Sequence, residues 1–287
     1  MGDNSPVTQT RIAEFEVGRP TEGTFAVLSK ARRMNRNGDP YLTLELSDAS
    51  GTIAARVWDN ADYFDRHIQP GDKVLAVGKP TKFRDEMQFD IRRLDRVDNP
   101  IEESFIPAAS RPLDELHGEL EFLVGEIIDD TLRETAVQIW NGPDSPSLLK
   151  SPATIGEHHA YLGGLVEHTV SVATICMAAA DRHPLVDRSL LLTAALVHDV
   201  GRAREIRIGE TLEADADAQL YGHILLGHEM ISEAARGTGA DKLPNWPGLV
   251  HAVAQHHGPV DRCRTREAAI LATANALDIR LSLPQRR

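Results

Sequence analysis

Cysteine is almost absent. Cys176 and Cys263 stand far apart and match no metal-ligand spacing, which excludes a disulfide-stapled scaffold and a thiolate metal knot. Two reduced thiols are the expectation. No run of 18 uncharged apolar residues occurs, so no transmembrane helix and no membrane partner are expected. Met1 to Arg11 is polar and lacks the apolar stretch of a signal peptide, which makes a cytoplasmic protein the expectation. Internal repeats and low-complexity segments are missing. Basic charge is not in excess either: 31 Lys and Arg face 43 Asp and Glu, a net charge of −12. That excludes binding to nucleic acid through overall charge and leaves any phosphate contact to local patches. The deficit is uneven. Residues 1–100 hold 15 basic and 16 acidic residues, and residues 101–287 hold 16 and 27. A bound cation could offset the acidic second half.

The 287 residues are enough for two domains, and their patterning changes midway. From Thr21 to Val97 the chain reads as short strands: Thr21 to Ser29, Tyr41 to Leu46 with Leu42, Leu44 and Leu46 alternating, Thr52 to Trp58, Lys73 to Gly78, and Met87 to Val97. Ala61 to His67 fits a short helix. Five strands with one helix between the third and fourth predict a small closed barrel of the OB type over residues 12–98. Residues 99–112 carry three prolines and little periodicity and read as a linker. Residues 113–287 read as an all-α domain. Leu113 to Trp140 is helical by the spacing of Leu116, Leu120, Leu123, Ile127, Ile128 and Leu132. The segment from Gly164 onward is helical in pattern throughout. The fold class is therefore multidomain, a five-stranded barrel followed by an all-α domain.

Barrels of this type bind single strands with one face and with the loops joining strands one to two and four to five. The first of these loops is expected to hold Lys30, Arg32, Arg33 and Arg36, and the second Lys79, Lys82, Phe83 and Arg84. Phe83, in a polar loop between two cations, is the leading candidate for base stacking. Trp58 and Phe25 fit a core as well as a platform.

Histidine is concentrated in the second half. Leu190 to Val197 is apolar but for Thr193 and ends in His198-Asp199. A buried helix that ends in a carboxylate needs a compensating charge, and a metal ion supplies one. His168 lies at the start of another helix, His223 follows Gly222, and His256-His257 closes the apolar stretch Leu249 to Ala254. Neutral imidazoles sharing a carboxylate suit Mn, Fe, Co, Ni or Zn rather than Mg or Ca. Adjacent histidines point apart on a regular helix, so His256 and His257 can share a metal only at an irregular helix end.

The order His, His-Asp, His, His-His resembles that of the HD superfamily in its two-metal form. The stretch His158-His159-Ala160-Tyr161-Leu162-Gly163-Gly164-Leu165-Val166-Glu167-His168-Thr169 is more particular. Together with a barrel carrying Asp48-x-x-Gly51 and Val57-Trp58-Asp59, it resembles the YhaM family of 3′→5′ exoribonucleases, from about Phe15 to Leu283. The resemblance implies an HD-type metal-dependent phosphodiesterase that holds one or two divalent transition metals, Mn²⁺ first among them. His168, His198 and Asp199 would hold the first metal. Asp199, His223, His256 and His257 would hold the second, and His158, His159 and Tyr161 would line the substrate path. Paired metals can activate water and hold both oxygens of an in-line displacement.

Two positions depart from the family pattern. An aspartate that closes the first metal site is matched here by Asn275, a neutral and weaker ligand, with Asp278 one turn later as substitute ligand or supporting partner. A Gly-Lys pair after the doublet is here Gly201-Arg202, and Arg202 can still meet phosphate. Three functions stay open at this point: an exonuclease on single strands, RNA ahead of DNA; a phosphohydrolase of a small nucleotide; and a single-strand-binding protein whose metal site has decayed. Homo-oligomerisation is left open.

Overall fold

Alternating burial is what the first unit is built on. The computed structural model describes residues 10–35, 37–84, 86–97, 105–109, 111–209 and 211–282. The chain divides into two compact units, in outline residues 1–108 and 109–287. In the first, β1 (Thr21–Met34), β2 (Pro40–Asp48), β3 (Gly51–Val57), β4 (Lys73–Phe83) and β5 (Glu86–Arg96) close in the order β1-β2-β3-β5-β4, with β4 returning to β1. The β3–β5 pair is parallel and the others are antiparallel. A helix, α1 (Ala61–His67), lies between β3 and β4 as expected. The inward positions, among them Phe25, Leu42, Leu44, Leu46, Val57, Val74, Phe89 and Ile91, form one core. Phe25 is wholly buried, so it belongs to this core and not to a platform.

Two strands run further than the sequence pattern indicated. Lys30, Arg32 and Arg33 stand on β1, and Lys79, Lys82 and Phe83 on β4, not in loops; only Arg84 lies in the turn to β5. A run of basic residues does not alternate visibly, so it conceals a strand whose hydrogen bonds are already decided by its partner. Arg36 lies outside the described residues. Within the expected linker, Phe105 and Ile106 are buried.

The second unit is helical: α2 (Leu113–Gly125), α3 (Asp130–Trp140), α4 (Ser145–Lys150), α5 (Gly164–Arg182), α6 (Arg188–Val197), α7 (Arg202–Glu205), α8 (Ala216–Thr238), α9 (Trp246–Gln255) and α10 (Arg266–Ser282). The single helix expected over Leu113 to Trp140 is two helices. Asp129 interrupts it, and its side chain caps α3 by accepting from the Leu132 amide. The helical pattern after Gly164 also contains a short antiparallel hairpin, β6 (Ile206–Ile208) and β7 (Leu212–Ala214). The middle of the unit is α6. Its residues Leu190 to Val197 are all buried, and each fully buried leucine contributes roughly 1.5–3 kcal/mol. Among the described residues no helix is long and apolar enough to cross a membrane.

Candidate metal centre and nucleic-acid interface

Four helices deliver the histidines to one place, and a fifth adds an asparagine and an aspartate. His168 is in the first turns of α5, His198-Asp199 follows the end of α6, and His223 is in α8. His256-His257 follows α9, while α10 carries Asn275 and Asp278. Two glycines make the approach of α8 possible. Gly222 breaks the α8 helix with φ +72°, a conformation that L side chains disfavour. A Cβ on Gly201 would lie 2.0 Å from the His223 carbonyl oxygen, so only glycine lets the backbone after the doublet meet His223.

Hydrogen bonds at one ring nitrogen set the state of the other. The Nδ1–H of His198 donates to the Ala195 carbonyl (2.8 Å), that of His256 to Val253 (2.5 Å), and that of His168 to Asp278 Oδ2 (2.7 Å). Each Nε2 is then an unprotonated lone pair directed into the site. His168 Nε2 and His198 Nε2 face each other at 3.2 Å, and His223 Nε2 and His257 Nε2 do the same at 3.2 Å. Asp199 lies between the two pairs. Its Oδ2 is 3.7 Å from His168 Nε2 and 3.8 Å from His198 Nε2, and its Oδ1 is 3.3 Å from both His223 Nε2 and His256 Nε2. Neither oxygen accepts a hydrogen bond, although Asp199 is only 1% exposed, and His256 Nε2 is likewise buried and unbonded. Facing lone pairs and an unsatisfied buried carboxylate are costly unless a cation lies among them. The donor sets, imidazole with shared carboxylate, fit transition metals: one of His168, His198 and Asp199, the other of Asp199, His223, His256 and His257. The end of α9 supplies the irregularity that lets adjacent His256 and His257 converge.

Electrostatics agree with this arrangement. Burial pushes His198 well below its ordinary value, and pushes His223 down to about 3. Burial alone would raise Asp199, but His198, His256 and Arg202 outweigh it and hold the carboxyl well below the carboxylate range. His158 is buried with neither ring nitrogen bonded, its ring 5.4 Å from that of His168, and burial pushes it down to about 4. A pH dependence follows for the metal-free protein. Unfolded imidazoles take up protons near 6.5, whereas folded His158 and His223 resist protonation down to about 4 and about 3. Between those values the unfolded state binds more protons, so stability is full above about 6.5 and falls as pH drops. Thermal unfolding of EDTA-treated protein from pH 7.5 to 4.5 should show a steadily falling Tm, and a flat profile would exclude buried neutral imidazoles.

Asp278 meets His168 at Nδ1, and with His159 and His168 it forms a third group of atoms close enough to hold a metal. Its Oδ2 accepts from His168 Nδ1 and from His159 Nε2 (2.9 Å), and its Oδ1 accepts from Ser171. Burial would raise its pKa, but these hydrogen bonds hold it well below the usual range. His159, in left-handed backbone (φ 47°), continues to Tyr161 (2.7 Å), which donates to Glu167 (2.7 Å). Asn275 is buried; its amide nitrogen donates to the His256 carbonyl (3.1 Å), and its Oδ1 has no hydrogen-bond partner. Arg202 lies 3.8 Å from Asp199 Oδ1 and is bound to Glu205 (2.8 Å), which in turn is 3.6 Å from His223 Nδ1. Glu205, Ser171 and Glu167 were not singled out in the sequence. Glu205 and Ser171 each lie one turn after a site residue, Arg202 and His168, and that spacing was the available signal.

On the barrel, the basic residues divide between two faces. Arg32 pairs with Asp62 (2.6 Å) and Lys30 with Asp65 (3.3 Å), both acids belonging to α1. Arg33 points the other way and is registered against Tyr41. On that side Trp58 is 43% exposed and Phe83 47%. Among the described residues, Arg33, Lys82 and Arg84 make no ion pair.

A barrel of OB topology joined to a helical unit built on a His-Asp doublet defines a two-domain class, and family models agree. Residues 25–96 match the OB-fold nucleic acid binding domain, and residues 165–280 match the HD domain. The resemblance read from the sequence holds along the chain, which is similar to the YhaM 3′-5′ exoribonucleases. It is 25% identical over 285 residues to 3′-5′ exoribonuclease YhaM of Bacillus subtilis and 27% identical over 285 residues to that of Listeria innocua. Each match covers 96% of this chain and 90% of the relative. Among solved structures, the second OB-fold domain of replication protein A from Methanococcus maripaludis aligns with 33% of this chain and 99% of its own, at 15% identity and a TM-score of 0.27.

Proposed function

We propose that this protein is a metal-dependent 3′→5′ exonuclease of single-stranded nucleic acid, RNA ahead of DNA, acting in the cytoplasm. The observation that carries the reading is Asp199: a buried carboxylate with both oxygens unbonded, each turned toward its own set of imidazole nitrogens. His168, His198 and Asp199 would hold one divalent metal; Asn275, in the place of the family carboxylate, lies against His256 and His257. Asp199, His223, His256 and His257 would hold the other, and Mn²⁺ is the first choice for both. Bound there, such ions lower the pKa of water and offset charge on phosphoryl oxygens. The chain's own residues do the rest. The Ala195 and Val253 carbonyls and Asp278 fix which nitrogen of His198, His256 and His168 is free. Arg202, steadied by Glu205, places its guanidinium beside Asp199, where it can meet a phosphoryl oxygen. His158, His159 and Tyr161 would line the substrate path, with the His158 ring beside that of His168. The barrel holds the strand that is being shortened.

Metal analysis combined with a strand labelled at its 3′ or 5′ end, with added Mn²⁺, tests this reading. Mononucleotides released first from the 3′ label, with a 5′-labelled ladder, are expected. Hydrolysis confined to free nucleotides would favour the small-molecule phosphohydrolase. Strand binding without metal or hydrolysis would favour the decayed site.

The barrel's part is testable by charge. Reversing Arg33, Lys82 and Arg84 together to glutamate should weaken strand binding and lower the salt slope by about 2, at ~0.7 per phosphate contact. Reversing Lys30 and Arg32 should instead lower the melting temperature, since it sets like charges against Asp65 and Asp62. Equal effects of the two sets on strand binding would refute the distinction between paired and unpaired cations.

A further inference from the structure

We infer that His158 is a catalytic residue of the hydrolytic site: a ring N–H of its imidazole donates to a nonbridging oxygen of the phosphodiester that is cleaved. The inference rests on the exonuclease reading above and separates three residues grouped there, His158, His159 and Tyr161, by what their polar atoms do.

Two of the three are already engaged. His159 uses both ring nitrogens, Nε2 with Asp278 (2.9 Å) and Nδ1 with Tyr161 (2.7 Å), and the Tyr161 hydroxyl donates to Glu167 (2.7 Å). His158 differs. It is 4% exposed, and neither of its ring nitrogens has a hydrogen-bond partner among the described residues. The backbone that carries it is tied down on both sides. The His158 carbonyl accepts from Thr154 Oγ1 (2.6 Å), which itself accepts from the Glu157 amide (3.2 Å), and the His159 carbonyl accepts from the Ala153 amide (3.1 Å). His159 is in left-handed backbone, and the two adjacent rings stand 6.0 Å apart between centroids with planes at 86°.

An imidazole carries at least one N–H in either charge state, and a buried N–H without an acceptor is destabilising. A phenylalanine would fill the same space without that cost. A polar group that its own fold leaves unbonded is therefore matched to something that arrives. The surroundings say what arrives. The His158 ring lies 5.4 Å from that of His168. Burial is the main influence on its charge, and His168, His159, Asp199 and Arg202 act on it as well. Yet His158 belongs to none of the three groups of donor atoms that lie within 4.8 Å of one another among the described residues, so it stands beside the proposed ligands and not among them. The part of a strand that must come closest to those ligands is the phosphate being cleaved. Its anionic oxygens are strong acceptors, and Arg202 and His158 can each meet one.

The test uses the full-length chain with saturating Mn²⁺. The strand carries sulfur in place of one nonbridging oxygen at its 3′-terminal linkage, as separate Rp and Sp isomers, because sulfur accepts hydrogen bonds poorly. His158→Phe should slow cleavage of the normal strand by roughly 10- to 100-fold, the loss expected of a hydrogen bond to a charged group. His158→Gln, which restores an N–H, should recover part of it. One sulfur isomer should be cleaved more slowly by the unaltered protein, and that difference should shrink in His158→Phe, since a contact already lost cannot be lost again. Two measurements without turnover separate this role from others. Metal-free His158→Phe should melt at or above the parent, and its stabilisation by added Mn²⁺ should equal the parent's. Sulfur effects of full size in both isomers of the variant would overturn the contact. So would a lost response to Mn²⁺, which would make His158 a metal ligand, or a lowered melting temperature with an unchanged rate, which would make it a packing residue. An unaltered protein that shortens no strand would overturn the exonuclease reading. A nitrophenyl phosphodiester then still reads His158, because the contact is to phosphate, and equal rates for parent and His158→Phe would overturn it. Cleavage of neither substrate would overturn both.

Discussion

Asp199→Ala reduces hydrolysis of a labelled strand by ~10³-fold or more, a loss of about 4 kcal/mol of transition-state stabilisation, while the helical fold stays intact. The size of the effect follows from the position of Asp199. Among the described residues it is the one carboxylate that meets both imidazole groups, through Oδ2 toward His168 and His198 and through Oδ1 toward His223 and His256. Removing it would take a ligand from both of the proposed metals at once. The unaltered protein should gain thermal stability when Mn²⁺ is added, since a ligand that binds only the folded state stabilises it by mass action. The variant should gain much less, and its far-UV circular dichroism should match that of the parent. An Asp199→Ala protein that still shortens strands at an appreciable rate would remove the dimetal mechanism.

The second large effect concerns the two polar residues of α10, and opposite results are expected from them. Asp278→Asn should lower metal affinity by roughly 10- to 100-fold, as loss of a partner that orients a ligand does. Asp278 accepts from His168, His159 and Ser171 with its two oxygens. An asparagine keeps one acceptor oxygen and turns an amide N–H toward a donor, so His168 loses the bond that fixes its free nitrogen. Asn275→Asp should act the other way once metal is present. A carboxylate adds the charge that the first site lacks, so occupancy and activity at low Mn²⁺ should rise, and the parent should purify with fewer than two metals per chain. The gain has a structural cost. The Asn275 amide donates to the His256 carbonyl at 3.1 Å, and a carboxylate oxygen there would repel it. Metal-free Asn275→Asp should therefore melt below the parent, and above its own metal-free value when metal is added. Metal stoichiometry, rate at limiting Mn²⁺ and melting temperature in both variants decide the matter. If Asn275→Asp binds metal no better and Asp278→Asn loses none, α10 does not serve the site.

Much of this protein is determined by its sequence alone. Alternating leucines between Tyr41 and Leu46 can bury only one face, so that segment must be a strand over a core. Leu190 to Val197 is apolar but for Thr193, so it must be a buried helix, and a doublet at its end must lie inside the protein. An aspartate in that position requires a counter-charge, and the histidines elsewhere in the chain are the residues able to share one. What the sequence could not decide is direction. Arg32 and Arg33 are neighbours in a basic run, yet a strand sends successive side chains to opposite faces, so one pairs with α1 and the other lies beside Tyr41. Asn275 and Asp278 lie on the same side of α10, one turn apart. Only the packing of α10 against α5 turns Asp278 toward His168 Nδ1 and the Asn275 amide toward His256. The free nitrogen of each histidine is likewise decided by a neighbour, a carbonyl three residues back for His198 and His256 and a distant carboxylate for His168. Composition and spacing place the right chemical groups in the chain, but hydrogen bonds are directional and short, so the atom that faces the proposed metal is decided only where helices far apart in sequence meet.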